Sequence, residues 1–465
     1  MRVREPIKVY GRFWLPDKPG EESPGCLTIS DGGRIHLDLF GAHGKPATKM
    51  FPYDYDARQF TIRKIVGVLE TCQEVALEEC IITKIIPSFV SSPRFTVYAH
   101  RACLGSGVAD NDDLAVNGLQ FSVEGLDEWL GISGFKVGKV EFDSSNMGQA
   151  VTYSPPKQAV FELDNGMTLS IVFFWTPAKT PAIREATITQ KAYFRLRAKD
   201  MRPLEDFTQI AHRIVEFLCF AIDKVVCLDK VTGLKEDQNQ RLIPSVDVYY
   251  PSLPFVETEA KIGLADMLFS YGSVRSRFGS VINGWLRAYD RFGSALNLFF
   301  AVQQGAHKYL ESRFLAMAQA LEIYHRARYE GQAIEDSEFC ALRESLLSVC
   351  PEEHREWLSK RIINEVSLHR RIKDLIKPFK RYLGNKEQRK RLARSITDSR
   401  NYYTHYDESQ NSHVARGKDL LLVSMRMEAI LQLHFLSMLS FTDTEIDHMV
   451  THNEKLKWKL QSSLP

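Results

Sequence analysis

The spacing of apolar residues changes once along this chain, and that change limits what it can fold into. Up to about residue 250 the apolar side chains come in short, often alternating runs; beyond it they recur three and four residues apart. The first pattern gives one-sided strands and the second gives one-sided helices, which bury their apolar faces in different ways. A chain of 465 residues also exceeds the size at which single cores stop growing. The reading is a multidomain α+β protein, with a mainly-β sandwich or barrel-like domain over 1–255 and an all-α helical bundle over 256–465. The Pro251 to Gly263 segment, which carries Pro251 and Pro254, marks the boundary.

In the first half, Lys8 to Leu15, Cys26 to Ser30 and Arg34 to Phe40 read as strands, with Asp31-Gly32-Gly33 as a tight hairpin turn. A second hairpin joins Ala159 to Leu163 and Met167 to Trp175 through Asp164-Asn165-Gly166. Further short strands are predicted at Ile65 to Leu69, Glu74 to Leu77, Ile81 to Ile86, Phe95 to Ala99, Val225 to Leu228 and Val246 to Tyr250. Pro203 opens a helix whose apolar face carries Phe207, Ile210, Ile214, Phe217 and Leu218. In the second half, helices are predicted over Val274 to Tyr289, Phe292 to Ala301, Tyr309 to Arg328, Glu338 to Ser348, Glu352 to Arg371, Lys386 to His405 and Lys418 to Leu439, with Ser337 as a cap.

The start of the chain lacks an apolar run of signal-peptide length, which makes a cytoplasmic location the expectation. Arg426, Glu428 and His434 interrupt the apolar Leu420 to Phe441 stretch, so no membrane span is expected there. The eight cysteines form no Cys-x2-Cys pair and read as buried reduced thiols. No phosphate-binding lysine loop, dinucleotide fingerprint, H-E-x-x-H or G-x-S-x-G is present, and neither a metal nor another cofactor is expected.

Net charge is only +2, but its distribution is uneven. From Arg370 to Arg400 twelve Lys or Arg stand against Asp374, Glu387 and Asp398. Such clustering is the footprint of a polyanion partner, and Lys386, Arg389, Lys390, Arg391 and Arg394 are the residues expected to contact RNA. A solvated helix face is the competing reading of the same run.

At the end of that basic helix lies Arg400-Asn401-Tyr402-Tyr403-Thr404-His405. An arginine followed by a histidine at this offset arises by chance, and Arg94 with His100 is a decoy, since strand rise would hold them roughly 20 Å apart. A helix sets Arg400 and His405 only about 7.5 Å apart along its axis, although about 140° apart around it. Either the long arginine stem wraps round the helix or, more economically, two antiparallel copies about a two-fold axis pool two histidines and two arginines in one cleft. Metal-free RNA cleavage needs that set: a base for the 2′-hydroxyl proton, an acid for the leaving 5′-oxygen, and positive charge at the phosphorane. Asn401 would orient His405 or a phosphate oxygen, while Glu322 and Tyr406 would support the site. The structural alternative has Arg400 paired with Asp398 or Asp407 and the tyrosines in the core. His325 reads as a packing residue, and His369 as a surface residue or an RNA contact.

These residues resemble the HEPN signature, an arginine, commonly a polar residue, and then a histidine. The whole chain resembles the ApeA-type proteins of bacterial abortive infection, through Ile65-Val66-Gly67, Val75 to Cys80, Leu119 to Gly131 and Phe314 to Glu322. That resemblance implies a metal-independent endoribonuclease acting as a homodimer, with the motif at the shared interface. It further implies defence against phage through cleavage of RNA, tRNA among the targets, with a phage-derived trigger as a further partner. The first half would then sense infection or restrain the nuclease, with the acidic residues Asp110, Asp112 and Asp113 as one contact to the basic helix. Two other readings are a non-catalytic HEPN module binding nucleic acid or protein, and a ligand-binding β-sandwich carrying a helical dimeriser.

Overall fold

The computed structural model describes residues 1–40, 61–86, 94–109, 114–143, 146–180, 184–235, 245–329, 331–405 and 414–461. The chain divides into two compact units, Met1–Asn283 and Gly284–Pro465. The proline-containing segment after residue 250 therefore lies inside the first unit. Its attachment is physical: Arg2 Nη2 donates to Val256 O at 2.8 Å, and Trp129 Nε1 donates to Phe269 O at 3.0 Å.

In the first unit the strands are β1 (Ile7–Trp14), β2 (Ser23–Ser30), β3 (Arg34–Leu39), β4 (Thr61–Leu69), β5 (Glu74–Ile86), β6 (Arg94–Leu104), β7 (Ala115–Val123), β8 (Phe135–Asp143), β9 (Asn146–Tyr153), β10 (Ala159–Glu162), β11 (Thr168–Thr176), β12 (Thr189–Pro203), β13 (Leu228–Leu234) and β14 (Val246–Tyr249). Among the described residues, twelve of them form one antiparallel sheet in the order β10-β11-β12-β7-β13-β14-β6-β3-β2-β1-β4-β5. β5 also pairs with β6, so β6-β3-β2-β1-β4-β5 closes on itself. Of the two expected arrangements, the sheet takes the barrel-like one.

β6 makes closure compatible with extension. Its first half pairs with β3 and its last residues, Ala102 to Leu104, pair with β14, while β5 follows its other edge throughout. Glycines allow the tight coiling of the small barrel. A Cβ on Gly11 would lie 2.7 Å from Val68 O, and one on Gly67 would lie 2.5 Å from Arg12 O. Inward residues such as Phe13, Leu27, Leu37, Ile65, Leu77 and Val97 fill the interior.

The two predicted turns are formed, with Gly32, Gly33 and Gly166 at φ 86°, 69° and 79°. Two predicted strands, Glu74 to Leu77 and Ile81 to Ile86, are one continuous β5, and the strand expected from Val225 starts at Leu228. Helix α1 (Leu126–Leu130) buries Trp129 against Phe217, Tyr271 and Phe278, the last two following α2 (Leu204–Ile222) in the chain, in α3 (Tyr271–Val274) and at the start of α4 (Phe278–Gln303). The acidic residues Asp110, Asp112 and Asp113 lie outside the described residues.

The second unit is helical. After the rest of α4 come α5 (Leu310–Arg328), α6 (Asp336–Ser348), α7 (Glu352–Arg361), α8 (Leu368–Ile376), α9 (Lys386–His405), α10 (Gly417–Met438), α11 (Asp443–His452) and α12 (Glu454–Gln461). The two helices expected between Val274 and Ala301 are continuous in α4. The one expected over Glu352 to Arg371 is two, because Ser367 caps α8 by accepting from Arg370 N. Ser337 does not cap α6; Glu335 does, its carboxylate accepting from Ser337 N.

α10 is the central helix, with thirteen buried residues. It is long and apolar enough to cross a membrane, and 72% of that apolar window is buried inside the protein. Phe435 meets Phe299 of α4 at 5.2 Å between ring centroids, and His434 lies between Tyr324 of α5 and Phe379. Five of the eight cysteines are buried, as in Cys80, whose thiol burial pushes up to about 12. Cys72 and Cys340, against expectation, are exposed.

Candidate active site

The basic helix forms over the predicted Lys386–His405. Its start is fixed by a reciprocal cap: Gln388 N donates to Asn385 Oδ1 at 2.9 Å, and Asn385 N donates to Gln388 Oε1 at 2.8 Å. Leu392, Ala393, Ile396 and Ser399 are its buried stripe. At its end, Ala415 N donates to Ser399 Oγ at 2.8 Å and Tyr403 Oη donates to Ala415 O at 2.9 Å, which ties the returning chain to the helix.

Helix geometry then distributes the motif. Lys390, Arg394, Asn401 and His405 fall within about 60° of one another around the axis, on the side away from the buried stripe. Lys390, Arg394 and His405 are exposed, and Asn401 is half-buried. Arg400 stands at the edge of the stripe, where α5 reaches it. Its Nη2 lies 3.5 Å from Glu322 Oε2, and its Nη1 lies 3.4 Å from Asn401 Oδ1. The structure thus brings Arg400, Asn401 and Glu322 together and leaves His405 at the exposed end of the helix. Arg400 pairs with Glu322 rather than with Asp398.

The other expected residues divide. Lys386, Lys390, Arg391 and Arg394 are exposed, but Arg389 turns back to donate to the carbonyls of Lys380 and Gly384, closing the loop before the helix. Tyr402 sits under the Arg416 guanidinium, 5.3 Å from its ring centroid, and Tyr403 packs edge-on against Phe314. Tyr406 lies outside the described residues. Arg94 and His100 stand on one extended strand, β6, as expected of the decoy.

Behind Glu322 lies a charged network that sequence reasoning missed. Arg326 joins Glu322 at 3.0 Å to Glu365 at 2.7 Å, and Arg371, fully buried, lies 3.5 Å from Glu365. Arg371 Nη1 also meets His325 Nδ1 at 3.3 Å, while His325 Nε2 meets Asp374 Oδ2 at 3.4 Å. Arg371 can only donate, so Nδ1 accepts and the Nε2–H faces the carboxylate. Burial pushes the His325 pKa down, against the opposing pull of Asp374. The only signal in the sequence was two charged residues, Glu322 and Arg326, flanking a histidine on an apolar helix.

Among the described residues, no group of three or more His, Cys, Asp or Glu is placed to hold a metal ion. The arrangement offers an exposed imidazole, a guanidinium beside a carboxylate, and a basic stripe leading to the imidazole.

No curated protein and no solved structure matches the chain. A family model described as Apea-like HEPN matches residues 315–445, which contain most of α5 and the whole of α9. HEPN domains are in general ribonucleases, which gives this region a nuclease- and defence-related character. A second model, described as ApeA N-terminal domain 1, matches residues 8–285, more than half of the chain; the chain belongs to the ApeA family, a β-rich ApeA N-terminal domain joined to an Apea-like HEPN domain.

Proposed function

We propose that this protein is an endoribonuclease that cuts RNA through attack of a ribose 2′-oxygen on the adjacent phosphorus, without a metal ion. The observation that carries the reading is the division of labour on α9: Arg400 lies 3.5 Å from Glu322 and beside Asn401, while His405 stands at the exposed helix end on the Lys390 and Arg394 face. One imidazole takes the 2′-hydroxyl proton. The 2′-oxygen bonds to phosphorus, the bond to the 5′-oxygen breaks, and a second imidazole protonates that oxygen. The products are a 2′,3′-cyclic phosphate and a 5′-hydroxyl. Arg400 neutralises the pentavalent phosphorane with paired N–H donors.

A single helix separates Arg400 from His405 by about 140° around its axis. Two copies of α9 in a homodimer resolve this by giving each phosphodiester two imidazoles and two guanidinia. Lys390 and Arg394 then carry the flanking phosphates. In this reading the protein works in the cytoplasm in abortive anti-phage defence, with tRNA among its targets. The β-rich unit senses a phage-derived trigger.

The test is cleavage of total RNA in EDTA by the wild type, His405→Ala and Arg400→Ala. Each variant is expected to lose at least about 100-fold in rate, with fragments ending in cyclic phosphate. Cutting that survives when the two substitutions are combined, or that requires Mg²⁺, contradicts the mechanism. RNA bound equally by all three proteins and cut by none would support a non-catalytic binding module.

A further inference from the structure

A cleft of about 840 Å³ opens in the helical unit between the end of α5 and the start of α8. Its walls have three chemically distinct parts. Tyr329, half-buried and held at 4.8 Å from the His325 ring, offers an aromatic face. Asp374 and Glu365 offer carboxylate oxygens. Arg370 and Lys377, both exposed, stand at the rim with Ser367.

This combination selects against simple ligands. An inorganic anion would meet Asp374 and Glu365. A simple cation would meet Arg370, Lys377 and, behind the wall, the buried Arg371. Asp374 is contacted by His325 at 3.4 Å and by Arg370 at 3.6 Å, both too long to use up its acceptor capacity. The fitting ligand has a flat ring for Tyr329, N–H donors on the ring edge for the carboxylates, and a phosphate for the rim. We propose that the cleft binds a nucleotide, base inward and phosphate outward. Stacking plus edge recognition is how unpaired bases are generally held, and the volume falls within the range of small-ligand sites.

The cleft also has a physical line to the motif. Glu365 is bonded to Arg326 at 2.7 Å and Arg326 to Glu322 at 3.0 Å, and the Glu322 carboxylate lies 3.5 Å from Arg400. A base that recruits the Glu365 carboxylate loosens its hold on Arg326 and shifts the balance at Glu322. Where the ligand is one nucleotide of the RNA being cut, which rests on the proposed ribonuclease activity, the cleft selects the sequence or unpaired position at which cutting occurs. Where the ligand is a free nucleotide, the cleft regulates the same arginine.

The experiment is calorimetric titration of the full chain with the four 5′-ribonucleoside monophosphates, inorganic phosphate, and a short unstructured RNA carrying 2′-O-methyl groups that block cleavage. At least one monophosphate is expected to bind, and phosphate alone about tenfold more weakly. The double variant Arg370→Glu/Lys377→Glu and the single variant Tyr329→Leu should each weaken nucleotide binding about tenfold, while Tyr329→Phe retains it. Circular dichroism and melting temperature verify that each variant is folded. The oligonucleotide binding tighter than any monophosphate, and losing that advantage in the same variants, assigns the cleft to the RNA substrate; equal or weaker binding assigns it to a free nucleotide. A wild-type chain that binds nucleotide but never cuts RNA removes the ribonuclease reading alone. If no monophosphate binds at millimolar concentration, or the charge-reversed variant binds as well as the wild type, the cleft is not a nucleotide site.

Discussion

His434 is fully enclosed, with Nε2 against Leu375 O at 3.0 Å and Tyr324 and Phe379 on its ring. Burial lowers its pKa to about 4, from an ordinary value of 6.5. The unfolded chain therefore binds the proton first, and stability falls as pH drops below about 6.5, down to the folded value near 4. Between pH 7 and pH 5 this residue should cost roughly 2 kcal/mol. Urea denaturation at the two pH values should show that loss in the wild type and much less of it in His434→Gln; equal losses would remove His434 as the cause. At the motif, Arg400→Lys should lose about 100-fold in RNA cutting despite keeping its charge, because an ammonium lacks the paired planar donors. Single-turnover rates at one pH check this, and near-wild-type cutting would show that charge alone suffices. The sequence displays Arg400, Asn401 and His405 because they are close in the chain. The Arg371–His325–Asp374 contacts join residues 46 and 49 positions apart, which no local pattern reveals.

Among the elements, α9 was legible to its end residues, because a sustained buried stripe sits within an otherwise charged run. Its cap was not recognised, since Asn385 and Gln388 act by reaching back to each other. Asn385→Ala should cost about 1 kcal/mol in urea denaturation and leave the rest of the helix intact by circular dichroism. No change in stability would mean that packing alone sets the start of α9. Strand β12 escaped notice because long charged side chains, Lys191, Arg195 and Arg197, alternate with the inward Ala192, Phe194 and Leu196 and mask their hydrophobicity. Helix α8 was fused to α7 in the reading, since Ser367 breaks the helix by capping the next one rather than by a Gly or Pro.

For the whole molecule, the change of period correctly separated a β-rich from a helical half. Pro251 and Pro254 looked like a linker, yet the residues that follow supply Trp129 with Phe269, Tyr271 and Phe278, long-range contacts that composition does not disclose. The barrel closure was equally hidden, because it depends on one strand, β6, pairing with three neighbours. The proposed cleft, built by two copies of α9, lies at a level the sequence only hints at. Co-expressing differently tagged Arg400→Ala and His405→Ala chains, and purifying through both tags, isolates a mixed dimer with one intact arginine and one intact histidine. With one imidazole and one guanidinium left in the shared cleft, this mixed dimer should cut RNA in EDTA faster than either single-variant homodimer, which lacks one of the two groups altogether, and more slowly than the wild type, which has two of each. A mixed dimer as inactive as its parents, alongside a wild type that cuts as a monomer, would contradict it.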